Sequence, residues 1–171
     1  MSENNNYPKE KGLSIGTKAP EFSTTDVDGK KIVLKDILQN YNGLLIDFFR
    51  GAWWHTCEEH SKLLNQHLDD FKKQNIKLIS MSTDSKNHLK QYQEDNNLKF
   101  PQISDRGAII ARKFDVDVFD KGAGKEIKFK QAIPSKFLID KSGIIIWNYI
   151  AKTKKDRPEI KIIIKEIEKR V

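Results

Sequence analysis

The residue with the clearest chemical potential is Cys57, the single cysteine among 171 residues. It follows an apolar run at 44–49 and a short segment at 50–56, and a helical pattern of apolar residues begins just after it. Free backbone N–H groups and the positive end of the dipole stabilise a thiolate at the start of a helix. The position therefore makes Cys57 a candidate redox residue.

The flanks of Cys57 act in opposite directions. His55 could serve as a proton acceptor or as a cation beside the sulfur. Glu58 and Glu59 bring negative charge to the same turn, and the preceding pair Trp53-Trp54 removes water from the sulfur, so both oppose a thiolate. These residue types leave two alternatives open, a reactive thiol and an inert buried one.

A strand and a helix must position this cysteine. The run at 44–49 is nearly all apolar, which is typical of a central strand that is covered on both faces. Thr56, followed by Glu59 three residues later, predicts a capped helix start with Cys57 as the first helical residue. The apolar stripe of this helix is Leu63, Leu64, Leu68 and Phe71, and it should end near 74–75.

The remaining pattern predicts an α/β protein. Strands are expected at 22–25, 31–34, 76–82, 134–140 and 144–150, and helices at 35–39, 85–97, 106–114 and after Asp156, an N-cap with Glu159 three residues on. Residues 100–105 form a connection, and residues 117–131 form an exposed loop or a small hairpin that turns at 122–124. The order predicts a central mixed β-sheet flanked by helices on both faces.

Composition limits the classes of function. Hydrophobic residues make up 37% and charged residues 32%, and no apolar run approaches the ~20 residues that cross a bilayer, so we expect no membrane partner. The net charge is +7, with an excess of four positive charges at each of 121–136 and 152–171. Nucleic acid is one interpretation of this excess. The basic stretches carry no recognition motif and few interleaved aromatic residues, so we favour a solvated surface without nucleic acid.

Domain organisation and compartment follow from the N-terminus and the cysteine count. Residues 1–14 resemble a polar, mobile tail, and residues 15–171 form one domain. The N-terminus has no apolar leader segment, and a single cysteine excludes an intramolecular disulfide, so we expect a cytoplasmic protein.

Two further patterns could bind ligands. His55, Cys57 and His60 could supply three metal ligands, but their spacing matches no standard zinc pattern and a fourth ligand is not evident. The segment at 122–125 is only faintly similar to a phosphate-binding loop. We therefore expect neither a metal nor a cofactor.

Five segments, in order, resemble one known family, the alkyl hydroperoxide reductase/thiol-specific antioxidant (AhpC/TSA) group of peroxiredoxins and their thioredoxin-like relatives. Gly16-Thr-Lys-Ala-Pro-Glu-Phe is similar to its opening G-x-x-A-P-x-F, and Phe48-Phe-Arg-Gly-Ala-Trp-Trp-His-Thr-Cys to its active-site form F-Y-R-G-x-W-C-P-x-C. The other three are Ser82-Thr-Asp-Ser, Phe100-Pro-Gln-Ile-Ser-Asp and Pro134-Ser-Lys-Phe-Leu-Ile-Asp-Lys-Ser-Gly.

The resemblance implies a thioredoxin-like fold with Cys57 as the peroxide-attacking residue. It places Ile133-Pro134 where thioredoxins carry a cis-proline beside the active site. The implied active-site pocket consists of Arg50, Trp53, Trp54, His55, Thr56, Ile133 and Pro134.

The sequence also departs from the family pattern. Arg50 stands at the position of the family proline, and Trp54 stands where the family has Thr, Ser or a first cysteine. The family arginine that supports the thiolate has no clear match near Pro134, and Arg50 or Lys136 could substitute for it.

Two functions follow from these features. The first is a thiol peroxidase or thiol oxidoreductase in which Cys57 reduces hydroperoxides. An external thiol, from a thioredoxin-like partner, a low-molecular-weight thiol or Cys57 of another subunit, would then restore the cysteine. The resemblance also makes a homodimer possible. The second is a redox-inactive thioredoxin-fold module that binds a partner in a groove lined by Trp53, Trp54 and Ile133.

Overall fold

The computed structural model describes residues 12–122 and 125–171, with the side chains of 119–130 outside the description. The strands are β1 (Ser23–Thr25), β2 (Lys31–Val33), β3 (Gly43–Phe48), β4 (Ile76–Ser82), β5 (Gln102–Ser104), β6 (Val118–Gly122), β7 (Lys125–Ala132), β8 (Ser135–Asp140) and β9 (Ile145–Ile150). The helices are α1 (Leu34–Asn40), α2 (His55–Gln66), α3 (Leu68–Lys73), α4 (Lys86–Asp95), α5 (Ile109–Lys113) and α6 (Ile160–Arg170), with a 3₁₀ turn at Arg106–Ala108.

The central sheet has five strands in the order β5-β4-β3-β8-β9. Strand β3 pairs in parallel with β4 and antiparallel with β8, so that Ile46 lies between Ile79 and Phe137. All six residues of β3 are buried, as expected for a strand that is covered on both faces. The predicted mixed sheet, with a parallel crossover in the first half and an antiparallel hairpin in the second, is confirmed.

The side chains of the sheet alternate between two hydrophobic cores. On one face, Phe48 and Phe137 pack with Phe114 beneath α1 and α5. On the other face, α2, α3, α4 and α6 cover the sheet, and Cys57 belongs to this second core. The cysteine is therefore built into the packing between α2 and the sheet.

The start of α2 differs from the prediction. The helix begins at His55, and the N-cap position is Trp54, whose side chain makes no capping hydrogen bond. A turn in which the Trp54 N–H donates to the Gly51 carbonyl sets this start, and the Glu58 N–H donates to the Trp54 carbonyl. The prediction of a Thr56 cap was wrong, and Cys57 is the third helical residue.

The same long segment divides into two helices. The predicted helix to 74–75 breaks at His67, between α2 and α3. Leu64 and Phe71 of its apolar stripe are buried, whereas Leu63 is exposed.

Three other elements also differ from the prediction or refine it. The connection at 100–105 contains the edge strand β5, which pairs in parallel with β4. Helix α6 begins after Glu159, because the Asp156 carboxylate accepts hydrogen bonds from the Tyr149 hydroxyl and the Lys152 N–H instead of capping the helix. Strands β6 and β7 form the predicted hairpin, and residues 123–124 between them lie outside the described residues.

No helix within residues 12–122 and 125–171 is long and apolar enough to cross a membrane.

Candidate functional site

Cys57 lies in the first turn of α2 with only 1% of its surface exposed. The Nη2 atom of Arg157 donates a hydrogen bond to its Sγ atom at 3.1 Å. Arg157 comes from the connection between β9 and α6. A guanidinium at this distance stabilises negative charge on sulfur, which is the form that acts as a nucleophile.

Arg157 is held in place by its own connection. Its Nη1 atom donates to the carbonyl oxygens of Lys154 and Asp156 at 3.2 and 2.7 Å. The Asp156 carboxylate is fixed in turn by the Tyr149 hydroxyl at 2.5 Å. Burial, together with this hydrogen bond and the charge of Asp156, raises the pKa of Tyr149 to about 12, so its hydroxyl is a donor at neutral pH.

A buried ion pair lies on the same face of the sheet as Cys57. Lys136 of β8 stands opposite Asp47 of β3, and its Nζ atom is 2.5 Å from Asp47 Oδ1. The Ser80 hydroxyl donates to Asp47 Oδ2 at 2.9 Å. Lys136, which we expected as a possible substitute for the family arginine, is therefore paired with a carboxylate.

Burial acts on both members of this pair. It opposes ionisation of Asp47, but attraction to Lys136 and hydrogen bonds from Lys136 and Ser80 outweigh it, so the pKa of Asp47 lies below its usual value. For Lys136 burial is stronger than attraction to Asp47, and the pKa of Lys136 is lowered. The pair places the Asp47 carboxyl group and the Lys136 amino group beneath α2.

His60 is the other titratable group of this region. It lies one turn after Cys57 on α2 and is only 6% exposed. Burial lowers its pKa to about 3, and the charges of Lys136 and Arg157 act in the same direction against the attraction of Asp47. His60 is therefore a neutral imidazole at neutral pH. In the sequence it was considered only as a metal ligand.

The segment before α2 forms an aromatic layer over a buried arginine. The Arg50 guanidinium carbon is 3.6 Å from the centre of the Trp54 ring, and Arg50 Nε donates to Gln131 Oε1 at 2.9 Å. The Trp53 ring lies 4.8 Å from the Trp54 ring and is 48% exposed. Arg50 thus supports the tryptophans through a cation–π contact.

Asp84, at the end of β4, holds this segment from the other side. Its Oδ2 atom accepts a hydrogen bond from the Ala52 N–H at 2.8 Å and from the Ser82 hydroxyl at 2.6 Å. Both bonds are buried. The Ser82-Thr-Asp segment therefore positions the loop that carries Trp53 and Trp54.

The three residues considered as metal ligands, His55, Cys57 and His60, do not come together. His55 is exposed, whereas Cys57 and His60 are buried. Among the residues that the structure describes, the ligand atoms within 4.8 Å of one another belong to His55, Glu58 and Glu59. His55 and Glu59 lie 3.9 Å apart on the exposed side of α2. Thr56 is half-buried next to them.

The last two residues of the predicted pocket, Ile133 and Pro134, do not lie together. Pro134 lines a narrow crevice together with Lys136 and Arg157, and so lies beside the site. Ile133 belongs to the core on the opposite face of the sheet. The Ile133–Pro134 peptide bond is trans, the isomer that X–Pro bonds ordinarily adopt.

The sequence model described as the AhpC/TSA family matches residues 15–148. The chain belongs to the AhpC/TSA family. The assignment agrees with the resemblance in the five sequence segments. The matched range ends before Arg157, so the family pattern up to residue 148 does not include the residue that contacts the cysteine.

Relatives of this AhpC/TSA protein include proteins named as thiol-disulfide oxidoreductases and a protein named as a peroxiredoxin. The thiol-disulfide oxidoreductase ResA of Bacillus thuringiensis subsp. konkukian is 31% identical over 158 residues, which cover 90% of this chain and 79% of the relative. Peroxiredoxin Bcp of Escherichia coli is 29% identical over 133 residues, covering 78% and 83%. The chain is thus a peroxiredoxin-like member of a thiol oxidoreductase family.

A solved structure shows the same fold as this AhpC/TSA chain. The peroxidoxin BcpB of Mycobacterium tuberculosis superposes with a TM-score of 0.79 at 16% identity, over 92% of this chain and 97% of that one. The predicted thioredoxin-like fold is therefore confirmed.

Proposed function

We propose that this protein is a thiol peroxidase in which Cys57 reduces hydroperoxides and an external thiol restores the cysteine. The observation that carries the proposal is the hydrogen bond from Arg157 to Cys57 Sγ at 3.1 Å, at the start of a helix. Two independent sources of positive potential, the guanidinium and the helix N-terminus, favour the thiolate there.

The reaction follows from thiol chemistry. The Cys57 thiolate attacks the terminal oxygen of the hydroperoxide, so that an S–O bond forms while the O–O bond breaks. The leaving alkoxide, or hydroxide from hydrogen peroxide, takes a proton from water, and Cys57 becomes a sulfenic acid. A first external thiol releases water and forms a mixed disulfide, and a second thiol releases Cys57 together with the external disulfide.

The burial of Cys57 bears on the choice of reductant. Its sulfur is almost fully enclosed by the second core and by Arg157. A disulfide between Cys57 residues of two copies would require both sulfurs to reach the surface at once. We therefore favour a low-molecular-weight thiol, with a thioredoxin-like protein as the second choice.

We propose that residues 15–171 act as one thioredoxin-like domain. The prediction of a tail at 1–14 falls mostly outside the described residues, which begin at residue 12. A reaction that consumes reduced thiols fits the cytoplasm, where thiols are kept reduced. A homodimer stays a prediction from the family resemblance.

The second candidate function is a redox-inactive binding module. The half-exposed Trp53, stacked on Trp54, is an aromatic surface of the kind that partner sites use. A buried sulfur with Trp54 in place of a hydroxyl or a second cysteine is also compatible with lost turnover. This candidate predicts that Cys57 reacts with peroxide no faster than free cysteine.

Stopped-flow tryptophan fluorescence distinguishes the two candidates. Reduced protein is mixed with hydrogen peroxide, and the Cys57→Ser variant serves as the control. A fast change that depends on Cys57, followed by recovery on addition of glutathione, supports the peroxidase. A change in the wild type that is as slow as oxidation of free cysteine supports the binding module.

A further inference from the structure

Two residues near Cys57 in the sequence carry a buried polar atom that has no hydrogen-bond partner among the described residues. These atoms are Nε1 of Trp54, three residues before the cysteine, and Nε2 of His60, three residues after it. Buried polar groups in folded proteins nearly always have a partner, because an unmet hydrogen bond costs free energy. Arg157 donates to Cys57 Sγ and its charge also acts on His60, and Trp54 packs against the core that contains Cys57. A ligand at the sulfur would therefore lie near both unmet groups.

The two atoms have complementary hydrogen-bonding capacity. The indole Nε1–H of Trp54 can only donate. His60 is held neutral by its burial, so one of its ring nitrogens can accept. Arg157 adds further N–H donors at the sulfur itself. A hydroperoxide fits this set, because it carries one O–H donor and two oxygen acceptors.

We propose that Trp54 and His60 form the hydroperoxide-binding subsite of Cys57, with the indole N–H donating to the leaving oxygen and the imidazole accepting from the terminal O–H. This inference rests on the proposed peroxidase function and assigns its substrate contacts. Trp54 stands where the family pattern has a hydroxyl, so the subsite replaces that hydroxyl with an indole N–H and an imidazole.

The chemistry of the reaction step agrees with these roles. The Cys57–oxygen bond forms to the terminal oxygen, which keeps its proton and its hydrogen bond to His60 in the sulfenic acid. The O–O bond breaks toward the other oxygen, where negative charge develops. An N–H donor that is already in place stabilises such charge without reorganisation. The resulting alkoxide then takes its proton from water.

The packing keeps the indole in one orientation. Its ring is in contact with the Arg50 guanidinium, 3.6 Å from the ring centre, and with the Trp53 ring. The guanidinium carbon lies over the ring centre, so this contact uses the ring π-system.

Variants that delete single atoms test the subsite. Trp54→Phe keeps an aromatic ring over Arg50 but removes the N–H. His60→Leu removes both ring nitrogens, and His60→Gln keeps a polar atom near the position of Nε2. The second-order rate constant of Cys57 is measured for each variant with hydrogen peroxide and, separately, with iodoacetamide, by acid quench and mass spectrometry. Thermal unfolding confirms that each variant is folded, and Trp54→Phe and His60→Gln provide the test even where His60→Leu does not fold.

The expected result is selective for peroxide. Trp54→Phe and His60→Leu each lower the peroxide rate about tenfold, the scale of one hydrogen bond, and leave the iodoacetamide rate within about twofold of wild type. His60→Gln retains most of the peroxide rate. Equal losses with both reagents would mean that the residues act on the thiol or the packing, and would overturn the inference.

The same measurements distinguish a wrong subsite from a protein that is not a peroxidase. If wild-type Cys57 reacts rapidly with peroxide while Trp54→Phe and both His60 variants keep that rate, the subsite is wrong and the peroxidase stands. If wild-type Cys57 reacts with peroxide no faster than free cysteine, the peroxidase proposal fails and the subsite fails with it.

Discussion

Arg157 Nη2 lies 3.1 Å from Cys57 Sγ, although 100 residues separate the two in the chain. The contact joins the first turn of α2 to the connection that precedes α6. It supplies a cation to the sulfur from outside the segments that resemble the family motifs. The positions where we expected a substitute are engaged elsewhere, since Arg50 contacts Gln131 and Trp54, and Lys136 contacts Asp47.

Replacing Arg157 should slow every reaction of the thiolate. Arg157→Met removes the donor and the charge, and we expect the Cys57 rate constants with both hydrogen peroxide and iodoacetamide to fall about 10- to 100-fold, the scale of a hydrogen bond to a charged group. Arg157→Lys keeps the charge but lacks the planar fork, so its loss should be smaller. The measurement is the same quench and mass-spectrometric assay.

Arg170→Met is the matched control for this prediction. Arg170 lies in the last turn of α6 and pairs with Glu166 on the surface, so its loss should leave both rate constants unchanged. Wild-type rates in Arg157→Met would contradict a role for the guanidinium at the sulfur.

The sequence predicted the fold well because local pattern and tertiary burial agree there. The apolar run of β3 has one stable location, the centre of a sheet, and the short link between β8 and β9 permits only a hairpin. Cys57 at a helix start follows from the same strand–loop–helix order. The Thr56 cap failed because a turn from Gly51 to Trp54 starts the helix earlier, which no residue preference of Thr56 reveals.

The surroundings of Cys57 were less predictable because they depend on tertiary contacts. Arg157 is one of eight basic residues between 152 and 171, and its sequence neighbours give no sign that it contacts the cysteine. His60 shares a helix face with Cys57, which the three-residue spacing does indicate. Its burial next to Asp47 and Lys136 follows from the packing of α2 on the sheet, and a sequence pattern does not contain that information.

Removing one member of the Asp47–Lys136 pair should lower the free energy of unfolding more than removing both members. Lys136→Met leaves the Asp47 carboxylate buried without its counter-ion, and we expect it to lower the free energy of unfolding by about 3–5 kcal/mol. The double variant Asp47→Asn/Lys136→Met removes both charges and should recover at least half of that loss. Urea denaturation of the wild type and the two variants measures both losses, and equal losses in the single and double variants would contradict the prediction.

Asp84 should stabilise the loop that carries the tryptophans. Asp84→Ala leaves the buried Ala52 N–H without its acceptor, so we expect a loss of about 1–3 kcal/mol in the free energy of unfolding and a changed fluorescence spectrum of Trp53 and Trp54. Asp84→Asn keeps an oxygen acceptor and should lie closer to wild type. If the alanine and asparagine variants have the same stability and the wild-type spectrum, Asp84 does not hold this loop.

The neutral state of His60 should make stability depend on pH. Its pKa falls from 6.5 to about 3 on folding, mainly through burial, so between these values the unfolded chain binds the proton and the folded chain does not. This contribution to stability is complete above pH 6.5 and is lost as the pH falls. For His60 alone we expect the free energy of unfolding to be about 2 kcal/mol lower at pH 5 than at pH 7.

The His60→Gln variant isolates that contribution, because glutamine does not titrate. Urea denaturation of wild type and variant at pH 7, 6 and 5 should show a decline that is steeper by about 2 kcal/mol in the wild type over this range. The other titrating groups, including the carboxylates, are common to both proteins, so they cancel in the difference. Parallel pH profiles would mean that folded His60 accepts a proton near pH 6, and the buried imidazole would then be a cation beside Arg157 and Lys136.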